Sequence, residues 1–111
     1  MKKPVTVLVG LVLAASGALA LGSSVAAMGR SADVGIKEFK FAPAALQVST
    51  GTTVRWTNHD EETHTITSTT GAFASRGRGS DETFAQTFTR PGAYEYFCAL
   101  HPQMRARVIV K

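Results

Sequence analysis

From Val34 to the C-terminus the chain never holds helical apolar spacing over about ten residues. It breaks instead into short alternating runs separated by turn residues, which commits it to β structure. Val34 and Ile36 fall on one face and Phe39 and Phe41 on the other, so a bulge or bend is expected between them, and Pro43 ends that run. Leu46 and Val48 lead into a turn at Ser49 to Thr52; beyond it Val54, Trp56 and Asn58 share a face, with Trp56 as the core anchor. His59 to Glu62 is polar and acidic and reads as a solvated loop, after which Thr63 to Thr69 alternates again with His64 and Ile66 facing inward. Gly71 to Glu82, rich in Gly, Ser and Arg around Phe73, reads as an exposed connection. Phe84 and Phe88 bound the next strand, Arg90 to Ala93 is a turn, Tyr94, Tyr96 and Cys98 alternate along another strand, and Val108 and Val110 close the chain. Roughly seven strands at this spacing mean a β-sandwich or a barrel.

The first 27 residues are of another kind. Lys2 and Lys3 precede an apolar or small stretch from Val5 to Gly22, no acid occurs before Asp33, and small residues precede both Ala20 and Ala27. This is the pattern of an export signal, with cleavage expected after Ala27. The alternative is an uncleaved anchor, because roughly 18 residues at about 1.5 Å each nearly cross a hydrocarbon layer of about 30 Å. The absence of a cysteine near residue 20 and of an arginine pair ahead of the apolar run argues against a lipoprotein or a twin-arginine substrate. Residues 28–111 then form one domain, in the periplasm if the signal works as read. Two of the 12 Lys and Arg leave with the signal, so the net charge falls from +4 to +2, too little to support a nucleic-acid or membrane-surface partner. So small a domain buries only about 60% of its unfolded surface and gains from a staple. One cysteine excludes an internal disulfide and any zinc site with two thiolates, so the staple is a metal or a partner, and a metal would fill that gap.

The segment Cys98-Ala99-Leu100-His101-Pro102-Gln103-Met104 places a thiol, an imidazole and a thioether at successive steps of three, directly after a strand that aims Cys98 inward. Pro102 restricts the backbone within that loop. A fourth donor must come from elsewhere, and His64 is the best placed. Thiolate, two imidazoles and a weak axial thioether are the donors of a blue copper electron-transfer centre. Copper(I) favours soft sulfur and copper(II) favours imidazole, so a site offering both changes little when one electron moves.

In these residues the chain resembles the cupredoxins, and among them the amicyanins, over Phe39 to Lys111. The resemblance is sharpest in Tyr94-Glu95-Tyr96-Phe97-Cys98, in the short loop ending His101-Pro102-Gln103-Met104, and in Arg105 to Val110. It implies a Greek-key β-sandwich of seven to eight strands, one copper ion per chain, and His64, Cys98, His101 and Met104 as its ligands. It also implies that Asn58 hydrogen-bonds near the cysteine sulfur and ties the two ligand-bearing loops together. The family often has proline before the first histidine and threonine or serine after the cysteine; here those places hold Thr63 and Ala99. The implied role is a monomeric electron carrier whose electron leaves by His101, with a periplasmic amine-oxidising dehydrogenase as donor and a c-type cytochrome as acceptor.

Each residue also has a plainer reading. A lone buried cysteine is usually a small hydrophobe, a strand histidine is usually satisfied within the core, and Met104 could be core filler. Their joint occurrence with an export signal favours copper. His59 reads as part of the solvated loop rather than as a ligand, Arg76 and Arg78 as solvated charges rather than a docking patch, and Met28 is assigned nothing. A copper-buffering or delivery protein is the alternative function, against which the lack of a Met-rich or His-rich cluster counts. A thiol enzyme built on Cys98 and His101 would need an orienting group, an oxyanion site and a cleft, for which the sequence offers no candidates.

Overall fold

The computed structural model describes residues 29–111, so the expected signal at 1–27 and Met28 lie outside the described residues. Eight strands follow in order: β1 (Arg30–Lys37), β2 (Lys40–Ala42), β3 (Ala45–Val48), β4 (Thr52–Asn58), β5 (Thr67–Ser68), β6 (Thr83–Phe88), β7 (Gly92–Phe97) and β8 (Arg105–Val110). They form two four-stranded sheets, ordered β2-β1-β4-β6 and β3-β8-β7-β5. This is the expected all-β Greek-key sandwich. Within each sheet one pair is parallel, β1 with β4 and β3 with β8, because the chain crosses between sheets before returning to the same neighbour.

The alternation read from the sequence is what the sheets bury. Thr52, Val54, Trp56 and Asn58 of β4 point inward, as do Ala106, Val108 and Val110 of β8. Trp56 sits at the centre, with the rings of Phe73, Phe84, Phe88 and Tyr96 at 5.5 to 6.5 Å. Rings of this size each remove about 150–250 Å² from water, at about 25 cal/mol per Å². The Trp56 indole N–H donates to the Tyr96 hydroxyl at 3.1 Å, so the two polar tips in this core satisfy each other. Burial pushes the Tyr96 phenol up from 10.0 to about 12, against the lowering effect of that indole donor.

Three expectations change. The bend between Ile36 and Phe39 is a tight hairpin: Lys37 pairs with Lys40, and the two residues between them, Glu38 and Phe39, take φ of 53° and 59°. The run from Thr63 to Thr69 forms a strand only at Thr67–Ser68; before it, His64 meets Arg78 in an isolated bridge. The inward alternation survives, with His64 and Ile66 fully buried. Finally, the stretch around Phe73 is not simply an exposed connection, because Phe73 turns into the core against Trp56 and Phe88. Burial of that one large ring offsets part of the cost of ordering the polar residues around it.

Candidate metal centre

At one end of the sandwich, Cys98 leaves β7 still in the inward phase of that strand and is fully buried. The loop behind it is two linked turns. His101 N–H donates to the Cys98 carbonyl at 3.2 Å, Met104 N–H donates to the His101 carbonyl at 2.9 Å, and Cys98 N–H donates to the Met104 carbonyl at 3.2 Å. A β-turn spans three steps of chain. The spacing of three therefore puts Cys98, His101 and Met104 at successive turn corners, which explains how so short a loop gathers them. Met104 is buried and His101 is half-buried.

His64 enters from the other side, on the loop between β4 and β5. Its Nδ1 stands 3.7 Å from Cys98 Sγ, and His101 Nδ1 stands 3.6 Å from the same sulfur. The ligand atoms of these three side chains all lie within 4.8 Å of one another. His64 Nε2 meets Asp60 Oδ2 at 2.9 Å. A carboxylate accepts only, so this contact assigns a proton to Nε2 and leaves Nδ1 as the ring nitrogen turned toward the sulfur.

Thr65 joins the two loops. Its backbone N–H donates to Cys98 Sγ at 3.3 Å, and its hydroxyl accepts from the Ala99 N–H at 2.8 Å. That is the tie expected of Asn58, which does something else. Asn58 is buried, donates from Nδ2 to the carbonyls of Glu62 and Arg78 at 2.7 and 2.8 Å, and accepts from the Asp60 N–H at 2.9 Å. Asn58 braces the loop that carries His64 and makes no hydrogen bond to the sulfur, which accepts one from the Thr65 N–H instead. Ala99 needs no hydroxyl in this arrangement, since its backbone makes the link. Thr63, in the place where the family often has proline, is exposed.

Asp60 was expected in a solvated loop, yet its side chain is only 10% exposed. Burial works to raise its carboxyl, but the Phe39 amide, the His64 ring and the Glu38 amide outweigh it and hold the group below its ordinary value of 3.8. His59 is exposed and stands outside the cluster, its ring lying over Gly35. Arg78 contributes backbone, its N–H and carbonyl pairing with His64 at 2.7 and 3.1 Å, while Arg76 is exposed. The roles of Thr65 and Asp60 could have been suspected from their places, one and four residues from His64.

The donor set fits copper. A single S–H cannot donate to two imidazoles at once, whereas a shared cation attracts all three groups. Both imidazole nitrogens stand at nearly equal distances from the one sulfur, close enough that His64, Cys98 and His101 could share a single ion. One thiolate with two imidazoles, and a buried thioether at the end of the same loop, is the set that suits copper in both oxidation states.

Known proteins agree. The sequence pattern described as copper binding proteins, plastocyanin/azurin family, matches residues 28–111. Amicyanin of Paracoccus versutus is 36% identical over 83 residues, which cover 70% of this chain and 63% of that protein, so the match spans less than two thirds of the relative's length. Amicyanin-alpha of Methylorubrum extorquens is 30% identical over 105 residues, covering 87% of this chain and 88% of the relative. The solved reduced Cu(I) form of an amicyanin variant superposes with a TM-score of 0.70 at 29% identity, over 73% of this chain and 82% of that one. Fold, donor set and sequence thus lead to one assignment: the chain belongs to the plastocyanin/azurin family of copper-binding proteins, the cupredoxins, and is similar within it to the amicyanins.

Proposed function

We propose that this protein is an exported one-electron carrier, with His64, Cys98, His101 and Met104 holding a single copper ion. The observation that carries this reading is the convergence of two imidazole nitrogens on one buried sulfur at nearly equal distances. Bound copper supplies the change between Cu(I) and Cu(II). The chain's own groups keep that change small in structural terms. Cys98 is locked by the Thr65 amide and by the paired turns, and His64 is locked by Asp60 and by its bridge to Arg78. Groups already held in place need little rearrangement when the charge between them changes.

His101 is the exit and entry point for the electron. It is the half-buried member of the set, with Leu100 beside it 55% exposed, so a partner can approach its edge through apolar contact. Its partners are redox proteins; a dehydrogenase that oxidises amines and a c-type cytochrome are the donor and acceptor that the likeness to amicyanins implies. Residues 1–27 direct the chain to the periplasm and are removed, leaving a monomer of residues 28–111. A carrier rather than a catalyst is favoured by a donor set that leaves no position for substrate.

Potentiometric titration of the copper-loaded protein tests this. A reversible transition of one electron, with exchange fast enough to oxidise and reduce a small c-type cytochrome, is expected. Copper that leaves on reduction, instead of cycling, would point to metal delivery.

A further inference from the structure

The hairpin between β1 and β2 has the wrong residues for its shape. Both turn positions lie in the left-handed region, at φ 53° for Glu38 and 59° for Phe39, where such hairpins favour Asn and Gly. A side chain there costs about 1–2 kcal/mol per residue, and a bulky aromatic is a rare occupant. Something beyond local propensity retains it.

Asp60 supplies the compensation. Its Oδ1 accepts from the Glu38 N–H at 2.7 Å, and its Oδ2 accepts from the Phe39 N–H at 2.9 Å and from His64 Nε2 at 2.9 Å. One carboxylate thus joins two segments more than 20 residues apart in sequence. The turn so held lays the Phe39 ring edge-on against both histidines, at 5.0 Å and 87° to His64 and at 4.8 Å and 86° to His101. Phe39 is still 38% exposed, so it forms the outer wall between the imidazoles and water.

We propose that Asp60 is a positioning residue of the copper centre, fixing the proton of His64 on Nε2 and pinning the strained turn that seats Phe39 across both imidazoles. The proposal rests on the copper reading above. An imidazole hydrogen-bonded to a carboxylate is the more basic ligand, and loss of such a partner typically costs about 10- to 100-fold in metal affinity. Because the negative charge helps Cu(II) more than Cu(I), its loss raises the reduction potential. A tenfold selective loss of Cu(II) affinity corresponds to a shift of about 59 mV.

The test compares the wild type with Asp60→Ala, Asp60→Asn and Phe39→Ala. In the metal-free wild type, imidazole nitrogen shifts measured by NMR are expected to place the His64 proton on Nε2, and in Asp60→Ala to report a mixture of tautomers. With copper added, Asp60→Ala is expected to bind Cu(II) about 10- to 100-fold more weakly and at a raised potential. Asp60→Asn is expected to fall between, since one amide oxygen cannot serve all three donors. Phe39→Ala is expected to release copper faster to a chelator while leaving the His64 tautomer unchanged. A blue wild type whose Asp60 variants keep its affinity and potential would overturn the proposal, as would a metal-free wild type with the His64 proton on Nδ1. Should Asp60→Ala fail to fold, Asp60→Asn and the metal-free wild type decide. A wild type that never turns blue would sink the copper reading alone, because the tautomer measurement uses no metal.

Discussion

His64 and His101 offer the same nitrogen to the same sulfur at 3.7 and 3.6 Å, from opposite kinds of surroundings. His64 is fully buried, with its far nitrogen on Asp60 and its backbone bridged to Arg78. His101 sits on a loop of two linked turns, half-buried, beside exposed Leu100. No hydrogen bond from a described residue reaches its Nε2. The contrast is one of support: one imidazole is anchored from behind, and the other stands at the surface with its outer edge free of hydrogen bonds from the described residues.

The harshest way to break this picture is to remove the sulfur that both histidines face. Cys98→Ser is expected to abolish the intense blue colour altogether, read as the visible spectrum after copper addition; a variant that stayed blue would refute the thiolate assignment. Exchanging each histidine for glycine sharpens the comparison further. Added imidazole should restore colour to His101→Gly, whose gap opens toward solvent, and should fail with His64→Gly, whose gap is sealed by Asp60 and Phe39. Equal rescue of both would erase the distinction.

A third prediction concerns the strand that leads into the cysteine. The Tyr96 phenol is raised from 10.0 to about 12 by burial, so the folded state holds its proton where the unfolded state loses it. The stability this confers is fully present below pH 10.0 and is lost as pH rises toward about 12, by about 3 kcal/mol at about 1.4 kcal/mol per unit. Urea unfolding on either side of pH 10.0 checks it, with Tyr96→Phe expected to flatten the slope. That outcome would place the alkaline weakness in the core beneath the loops and leave the two histidines out of it. The smallest effect belongs to Met104→Ala, which should retain copper and colour while moving the potential by on the order of 59 mV, a tenfold change in relative affinity for the two oxidation states.

The strands were legible because inward alternation in β4, β7 and β8 is a local property of the chain, and Trp56 could be recognised as the core anchor on size alone; alternation left sandwich and barrel open, and the family resemblance chose between them. The gathering of the proposed donors could be read because three of them lie at turn spacing in one loop, and His64 kept the inward phase even though most of its expected strand is irregular. What alternation could not reveal is where loops return. Asn58 looked like the tie to the sulfur, yet the chain doubles back at His64 and delivers Thr65 there instead. Asp60 looked solvated within an acidic run, because nothing local says that the Glu38–Phe39 turn folds over it. Phe73 was hidden by its Gly-rich and Ser-rich neighbours, since one residue carries no period.

Electron paramagnetic resonance of the Cu(II)-loaded protein, recorded with its visible spectrum, tests the central claim most directly. A strong sulfur-to-copper absorption with unusually small copper hyperfine splitting is expected from one thiolate and two imidazoles about a single ion. A colourless protein, or a copper signal of the ordinary tetragonal kind, would contradict it.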